Sequence, residues 1–466
     1  YMMRQVDGAF DYSDYSYFYD ALAGYGAYWY DNDGNPIDPT QYVESDDSFT
    51  KQSHELRFTS PADKRLRLVA GLFYQRQTHN IEQHYIIDNI ADFLEIDGQV
   101  DNIWLTKQIR VDRDYAAFGE LSFDITPQLT VTGGGRFYKF DNTLKGWFGF
   151  NNFTDDGNGY SSNPDYLCMG PPIVNGSPCT NLDKRIKDTG FVHRLNVTYK
   201  PNDDLLLYAT WSRGFRPGGI NRRGSIPPFD PDFLTNFEAG VKYSFGRGSH
   251  FNAAIYQEDW KDIQLSFLGA NGLTEVRNAG DARIRGIEAD LFLRLAEGLT
   301  WGTGVAFNDA EMRTDFCYNL DPSCIDDYGL DVSAPKGTRL PVTARLKANS
   351  RIRYEWNARS DIRAHVQASL SYEGDRTRDI RKDIQAIYGK LPAYALVNLS
   401  TGVDKGDWSV DLFAKNLFDK RGQITKGIQC VEAVCGDPSG ATAIGPKIYT
   451  TVIRPRTIGL RIGRKF

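Results

Sequence analysis

Apolar residues occupy alternate positions in run after run of this chain. Val342, Ala344, Leu346, Ala348 and Ile352 share one parity, whereas Arg345, Lys347, Asn349, Arg351 and Arg353 share the other. Ile362, Ala364, Val366, Ala368 and Leu370 then alternate with Arg363, His365, Gln367, Ser369 and Ser371, and Trp408, Val410, Leu412 and Ala414 with Ser409, Asp411 and Lys415. The last such run, Thr457 to Ile462, leads into a terminal Phe466. A period of two is the signature of a β-strand with one apolar and one polar face. The pattern recurs about sixteen times with hardly a helical period between, and a sheet with so many open edges would aggregate unless it closed on itself. The expected fold is all-β, an antiparallel transmembrane β-barrel.

A soluble β-sandwich would also alternate, and the connections separate the two. Short turns such as Ser60-Pro61-Ala62-Asp63, Pro201-Asn202-Asp203-Asp204, Ala296-Glu297-Gly298 and Asp404-Lys405-Gly406-Asp407 are rich in the residues that hairpins need. They take turns with long polar insertions, about Asp14 to Asp47, Gln83 to Arg113, Lys145 to Lys187, Gly214 to Leu234, Ser266 to Val276, Arg313 to Lys336, Glu373 to Lys390 and Lys420 to Ile453. Alternating long and short connections describe a barrel with periplasmic turns on one rim and extracellular loops on the other. The six cysteines fall as close pairs, Cys168 with Cys179, Cys317 with Cys324 and Cys430 with Cys435, all in the long class. Local disulfides formed in an oxidising compartment are expected, since no pair has the C-x₂-C spacing of a metal site.

Composition modifies this picture little. Mean hydropathy is −0.46 and 41% of residues are hydrophobic, and no stretch approaches the ~20 apolar residues of a membrane helix. Half of each barrel strand faces water or a plug, so such dilution is expected. The 26 Tyr and 27 Phe suit interfacial girdles. A net charge of −6 argues against a nucleic-acid partner.

Candidate chemistry points to binding. None of His54, His79, His84, His193, His250 and His365 sits in a catalytic or zinc signature, and no cofactor motif is present. His79 and His84 flank Glu82 at a spacing that favours metal binding only on a helix, and no helix is expected there. The first long loop carries Tyr15, Tyr17, Tyr19, Tyr25, Tyr28, Trp29 and Tyr30, suited to flat ligand contacts or to an interfacial girdle. Arg216, Asn221, Arg222 and Arg223 offer groups for an anionic ligand, or for lipopolysaccharide phosphates. Strand parity turns Glu238, Lys242, Glu288, Asp290, Arg345, Lys347, Arg351, Arg353, Asp411 and Lys415 inward.

Several runs resemble the barrel of TonB-dependent outer-membrane receptors, the active importers of Gram-negative bacteria. They are Ser53 to Phe58 with Leu68 to Tyr74, Tyr208 to Gly219, Phe237 to Lys242, Asn278 to Gly280 with Gly286 to Ala289, and Lys415 to Asp419, ending on the terminal Phe466. The resemblance spans residues 1–466 as one barrel domain and implies the later sixteen of twenty-two strands. The family's plug domain, its TonB-binding segment and the first strands are not matched, and the chain opens on Tyr1 without a signal peptide. A processed or partial chain is therefore expected. The resemblance implies import of a scarce ligand with energy from TonB, a ferric siderophore foremost, with oligosaccharide, cobalamin or aromatic compounds as other cargoes. It also makes the inward charges contacts for the plug. The alternative is a passive sixteen-stranded porin, which would pair its last strand with its first.

Overall fold

In the computed structural model, residues 1–11, 29–38, 40–96, 98–150, 168–224, 226–246, 248–268, 274–317, 332–428 and 448–465 are described. The first strands are β1 (Met2–Asp11), β2 (Tyr42–Thr59), β3 (Leu66–Ile86), β4 (Asn102–Asp124), β5 (Leu129–Phe150), β6 (Leu182–Asn202), β7 (Leu205–Arg216), β8 (Asp232–Phe245) and β9 (Ser249–Lys261). A short hairpin of β10 (Gln264–Leu268) and β11 (Thr274–Asn278) follows. Next come β12 (Ala282–Ala296), β13 (Leu299–Met312), β14 (Leu346–Arg359), β15 (Ile362–Glu373), the helix α1 (Lys382–Tyr388), β16 (Tyr394–Lys405) and β17 (Trp408–Lys415). A second hairpin, β18 (Gln423–Ile428) with β19 (Ile448–Val452), precedes β20 (Thr457–Arg464). Leaving out the two hairpins, sixteen strands form one sheet in chain order, each antiparallel to the next.

Register confirms that the expected parity is a property of the whole wall. Ile255, Ile287, Phe307 and Leu346 lie side by side across β9, β12, β13 and β14, and all four are exposed. Leu412 and Leu460 continue such a row at β17 and β20. Large apolar residues that meet no protein are what lipid solvates. On the opposite face, Glu288, Ala306, Lys347 and Glu373 are neighbours, so one face suits lipid and the other a polar lumen.

Three expectations need correction. First, the strand expected from Val342 begins at Leu346. The Val342 amide bonds the Thr377 carbonyl at 2.7 Å and its φ is +61°, a conformation that breaks the extended run. Second, much of the sequence assigned to long loops is strand. β3 is paired without a break from Leu66 to Tyr85, and β4 and β5 remain paired up to Trp104 and Phe150. Above the lipid both faces can be polar, so alternation fades while pairing continues. Third, β1 pairs with β2 and β20 with β17, but β1 and β20 are not paired with each other, so the closure required of a sixteen-stranded porin is not observed.

The short-turn rim relies on tight hairpins. At Gly298, φ is +73° and an added Cβ would lie 1.8 Å from the Glu355 carbonyl oxygen on β14; the Glu355 amide donates to Gly298 O at 2.9 Å. A side chain here is excluded both by the backbone conformation and by the neighbouring strand. Gly298→Val is expected to destabilise the barrel by about 2 kcal/mol or more. Heat-modifiable mobility in SDS gels will check this, with the variant losing its folded band at lower temperature; unchanged mobility would refute it.

Candidate functional site

The segment from Pro217 to Pro231, between β7 and β8, folds over the lumen-side face of the wall at the long-loop rim. Its first anchor is Asp232, buried at the start of β8. The Asp232 carboxylate accepts from Arg216 Nε at 3.0 Å, from Trp260 Nε1 at 3.0 Å and from the Gln264 amide at 3.1 Å. Arg216 also lies 5.1 Å from the Trp260 ring centroid and donates to Gln264 O at 3.0 Å. Gln264 Nε2 in turn donates to Pro217 O and Asp230 O, at 3.0 and 2.9 Å.

A second anchor joins this segment to the β10–β11 hairpin. Asn221 donates to Val276 O and accepts from the Val276 amide, both at 2.9 Å. An amide side chain can imitate a strand partner in this way because it carries one donor edge and one acceptor edge. Arg223 reaches the buried Glu275 carboxylate at 3.4 Å, which Arg277 also holds at 2.7 Å.

The third anchor is the wall itself. Ile220 is buried with Ile81, Leu144 and Leu182, beside Ile186, from β3, β5 and β6. Gln108 donates to Arg222 O at 3.2 Å, Asn142 to Gly218 O at 3.2 Å, and Lys184 to Ile226 O at 2.6 Å and to Gly224 O. These side chains share the face opposite the exposed aliphatic rows, so the segment lies inside the mouth. Among the described residues, two wall acceptors beneath it, Gln108 Oε1 and Asn142 Oδ1, have no hydrogen-bond partner.

Arg222 is the unusual member. Its Nη1 donates to Gln83 Oε1 at 3.1 Å, and among the described residues no carboxylate lies within ion-pair distance. Burial works against its charge and pulls its pKa below the ordinary arginine value; Asp47 and Tyr85 oppose the shift and Arg110 adds to it. The segment therefore carries a poorly compensated cation into the mouth.

The expected site residues fare unequally. Arg216, Asn221 and Arg223 serve as struts that fix the segment, and only Arg222 presents an uncommitted charge. Trp29 packs with Ile37, Tyr85, Leu94 and Trp104 around Ile87, Ile90 and Ile103, and Tyr30 bridges Pro36. Tyr25 and Tyr28 lie outside the described residues. The anchors Asp232, Gln264, Gln108, Asn142 and Lys184 were missed, because isolated polar residues within or at the start of strands carry no sequence signal. His79 and His84 point to opposite faces: His84 and Lys107 engage Glu82, while His79 stacks on Phe49 at 3.9 Å and lies 3.5 Å from Asp47.

Glu238, Lys242, Glu288, Asp290, Lys347, Arg351, Arg353, Asp411 and Lys415 share the lumen-side parity. Several have wall partners: Tyr208 donates to Glu238 at 2.5 Å, Asn252 to Asp290 at 2.9 Å, Lys347 pairs with Glu373 at 3.3 Å, Arg353 with Glu355 at 2.7 Å and His365 with Asp411 at 3.4 Å. Arg345, expected to face inward, instead precedes β14 in a bend and reaches Asp309 at 3.0 Å, whose parity is that of the lipid-facing Phe307, because the strand register that would turn it inward starts only at Leu346. Cys168 and Cys179 form a disulfide, and Cys317 is disulfide-bonded; Cys324, Cys430 and Cys435 lie outside the described residues.

A wall of long antiparallel strands with a lipid face, a charged lumen face and a segment lodged in the mouth defines an outer-membrane β-barrel receptor. The chain belongs to the TonB dependent receptor-like β-barrel family, whose model matches residues 3–417. It is 24% identical over 381 residues to the Pesticin receptor of Yersinia pestis, covering 79% of this chain and 46% of that protein. Over 232 residues it is 26% identical to the Metal-pseudopaline receptor CntO of Pseudomonas aeruginosa, covering 49% and 29% of the two chains. Among solved structures, the ferric yersiniabactin uptake receptor FyuA from Yersinia pestis superposes with a TM-score of 0.66 at 18% identity, over 91% of this chain and 55% of that one. Copper transporter OprC superposes at 0.62 with 16% identity, over 100% and 62%. The chain thus spans less than half the length of the curated relatives it matches. Like its family, it is a protein of the Gram-negative outer membrane.

Asp232→Asn removes the charge that holds Arg216 and is expected to cost about 2 kcal/mol or more at this corner. Limited proteolysis and hydrogen exchange should show the 217–231 segment opening faster while β7 and β8 stay protected. Unchanged exchange of that segment would contradict the anchoring role.

Proposed function

We infer that this chain forms the barrel wall and extracellular loops of an energised importer for an anionic metal chelate, a ferric siderophore foremost. The supporting observation is Arg222, a half-buried cation with no carboxylate at ion-pair distance among the described residues, which the 217–231 segment delivers to the mouth. A buried charge left uncompensated is costly, and a chelate's carboxylates or phenolates offset that cost on binding. Relatives named as siderophore and metal-chelate receptors agree with such a cargo. Neutral oligosaccharide and aromatic ligands do not call for a desolvated guanidinium in the same way.

The lumen face has a complementary role in this reading. Lys242, Glu288, Asp290, Lys347 and Asn349 line a cleft of about 420 Å³ on it. Charges of both signs suit a plug domain carrying charges of its own, on which TonB acts through a segment outside these 466 residues. Further strands of the same protein pair with the free edges of β1 and β20.

In the full-length receptor, Arg222→Gln should weaken ferric siderophore binding by about tenfold or more, the worth of one charge-assisted contact, with the folded barrel retained. Uptake by the wild type should vanish in a strain lacking TonB and persist there if the protein is a passive pore. Binding and iron-limited growth unaffected by deletion of the receptor would overturn the siderophore reading.

A further inference from the structure

The sheet has a free edge in its middle that import does not use. β6 is paired to β5 from Tyr199 up to Leu182, but β7 accompanies β6 only between Arg194 and Tyr199 and at Asn202. Above that point β7 pairs with β8 alone, through Arg216. Among the described residues, no backbone hydrogen bond reaches the other side of β6 from Asp183 to Phe191. The Lys200 amide donates to Gln128 O at 2.7 Å, and the β5–β6 register runs from there to Leu182 without a shift. Backbone groups of successive residues point to opposite sides of an antiparallel strand. Even-numbered residues therefore bond β5, while Arg185, Lys187, Thr189 and Phe191 present N–H and C=O to the open side. Thr189 shows this directly, because its amide is taken by the Asp188 carboxylate at 2.7 Å and by no strand.

Such an edge takes up extended chains unless a proline, a bulge or charge prevents it. Neither proline nor bulge interrupts β6 between Leu182 and Tyr199. Lys187, Asp188 and Thr189 are exposed, and the 217–231 segment lies on the lumen side, where Lys184 holds it, so it leaves the edge clear. At the foot of the open stretch Tyr138 leans across Gly190, where an added Cβ would collide with its hydroxyl, and stacks on Phe215 of β7. Tyr138 is 5% exposed, and its hydroxyl has no hydrogen-bond partner among the described residues. The carbonyl of an added strand would supply one. On the outer face Arg185 is matched by Asp141 and Asp183 by Lys145. Lys187 has no carboxylate within ion-pair distance among the described residues, so the centre of the edge carries an unmatched cation.

We propose that the β6 edge from Asp183 to Phe191 is a docking site for an extended acidic segment of a partner protein outside the cell, which adds to the sheet as a strand. Its backbone bonds Arg185, Lys187 and Thr189, displacing the Asp188 carboxylate from the Thr189 amide, and a Glu or Asp opposite Lys187 completes a cross-strand ion pair. A second copy of this chain fits less well. Two receptors in one membrane are related by an axis along its normal, which sets their β6 edges parallel and brings the two Lys187 side chains to the same height. Further strands of the same protein belong at β1 and β20, the ends of the sheet, and a lipid has no array of N–H and C=O groups with which to extend a ladder. The inference rests on the outward direction of the long-loop rim and is independent of the cargo.

The test titrates the full-length receptor with a fluorescent peptide, Thr-Glu-Val-Glu-Val-Glu-Thr, with its counterpart carrying Lys for Glu, and with its fully N-methylated form, reading fluorescence anisotropy. The Glu peptide should bind, the Lys peptide about tenfold or more weakly, and the N-methylated peptide not at all. Hydrogen exchange at Lys187 and Thr189 should slow by about tenfold when the Glu peptide is bound. Thr189→Pro, which removes an outward N–H and no bond to β5, should weaken the Glu peptide by about tenfold or more, whereas Thr189→Val, which keeps that N–H, should change it by less than about twofold. Lys187→Glu should invert the preference in favour of the Lys peptide. Heat-modifiable mobility reports folding, and if Thr189→Pro fails that check, the inversion by Lys187→Glu decides. Absence of binding at about 1 mM Glu peptide, equal binding of the N-methylated form, undiminished binding by folded Thr189→Pro, or an unchanged preference in Lys187→Glu would each overturn the proposal. So would a concentration-dependent dimer in sedimentation that Thr189→Pro abolishes, since the edge would then belong to a second copy.

Discussion

In hydrocarbon every backbone amide and carbonyl must find its partner within the protein, because no water is present to take its place. A strand achieves this only through its neighbours, so the wall of this receptor is a continuous ladder in which each of sixteen strands depends on the next. Side-chain parity, the lipid-facing rows and the charged lumen all follow from that ladder. So does the narrow tolerance at the short-turn rim, where Gly298 must let β12 reverse into β13 against β14.

This dependence explains how much could be read from the chain. Where lipid presses on one face, as over Leu346 to Trp356 or Ile362 to Leu370, alternation is enforced and the strands were legible. Above the lipid the same strands continue with polar residues on both faces, so Gln83 or Lys145 looked like loop while pairing went on. The failure at Val342 is of another kind. Its parity fits, but the Thr377 carbonyl captures its amide and turns the chain, a tertiary effect invisible locally.

The mouth was less legible than the wall. Arg216, Asn221, Arg222 and Arg223 read alike in sequence, as polar groups available to a ligand. Folding gives three of them work within the protein and leaves the fourth: Asp232, Val276 and Glu275 are the partners that distinguish them. All three partners lie downstream in the chain, on elements whose approach only the sheet order determines. A cation's availability is therefore a property of packing, since it depends on which carboxylates arrive beside it.

Strand length varies systematically around the wall. β3 to β6 run for 21 to 23 residues, whereas β17 and β20 run for 8. At about 3.3 Å per residue the difference amounts to about 45 Å of strand, shortened somewhat by tilt. The continuous ladder therefore rises far higher on the β3–β6 flank than at β17 and β20, above which the separate β18–β19 hairpin takes over. Along the membrane plane, then, one side of the mouth is unbroken paired sheet and the other a hairpin of its own, and the two sides are not equivalent surfaces.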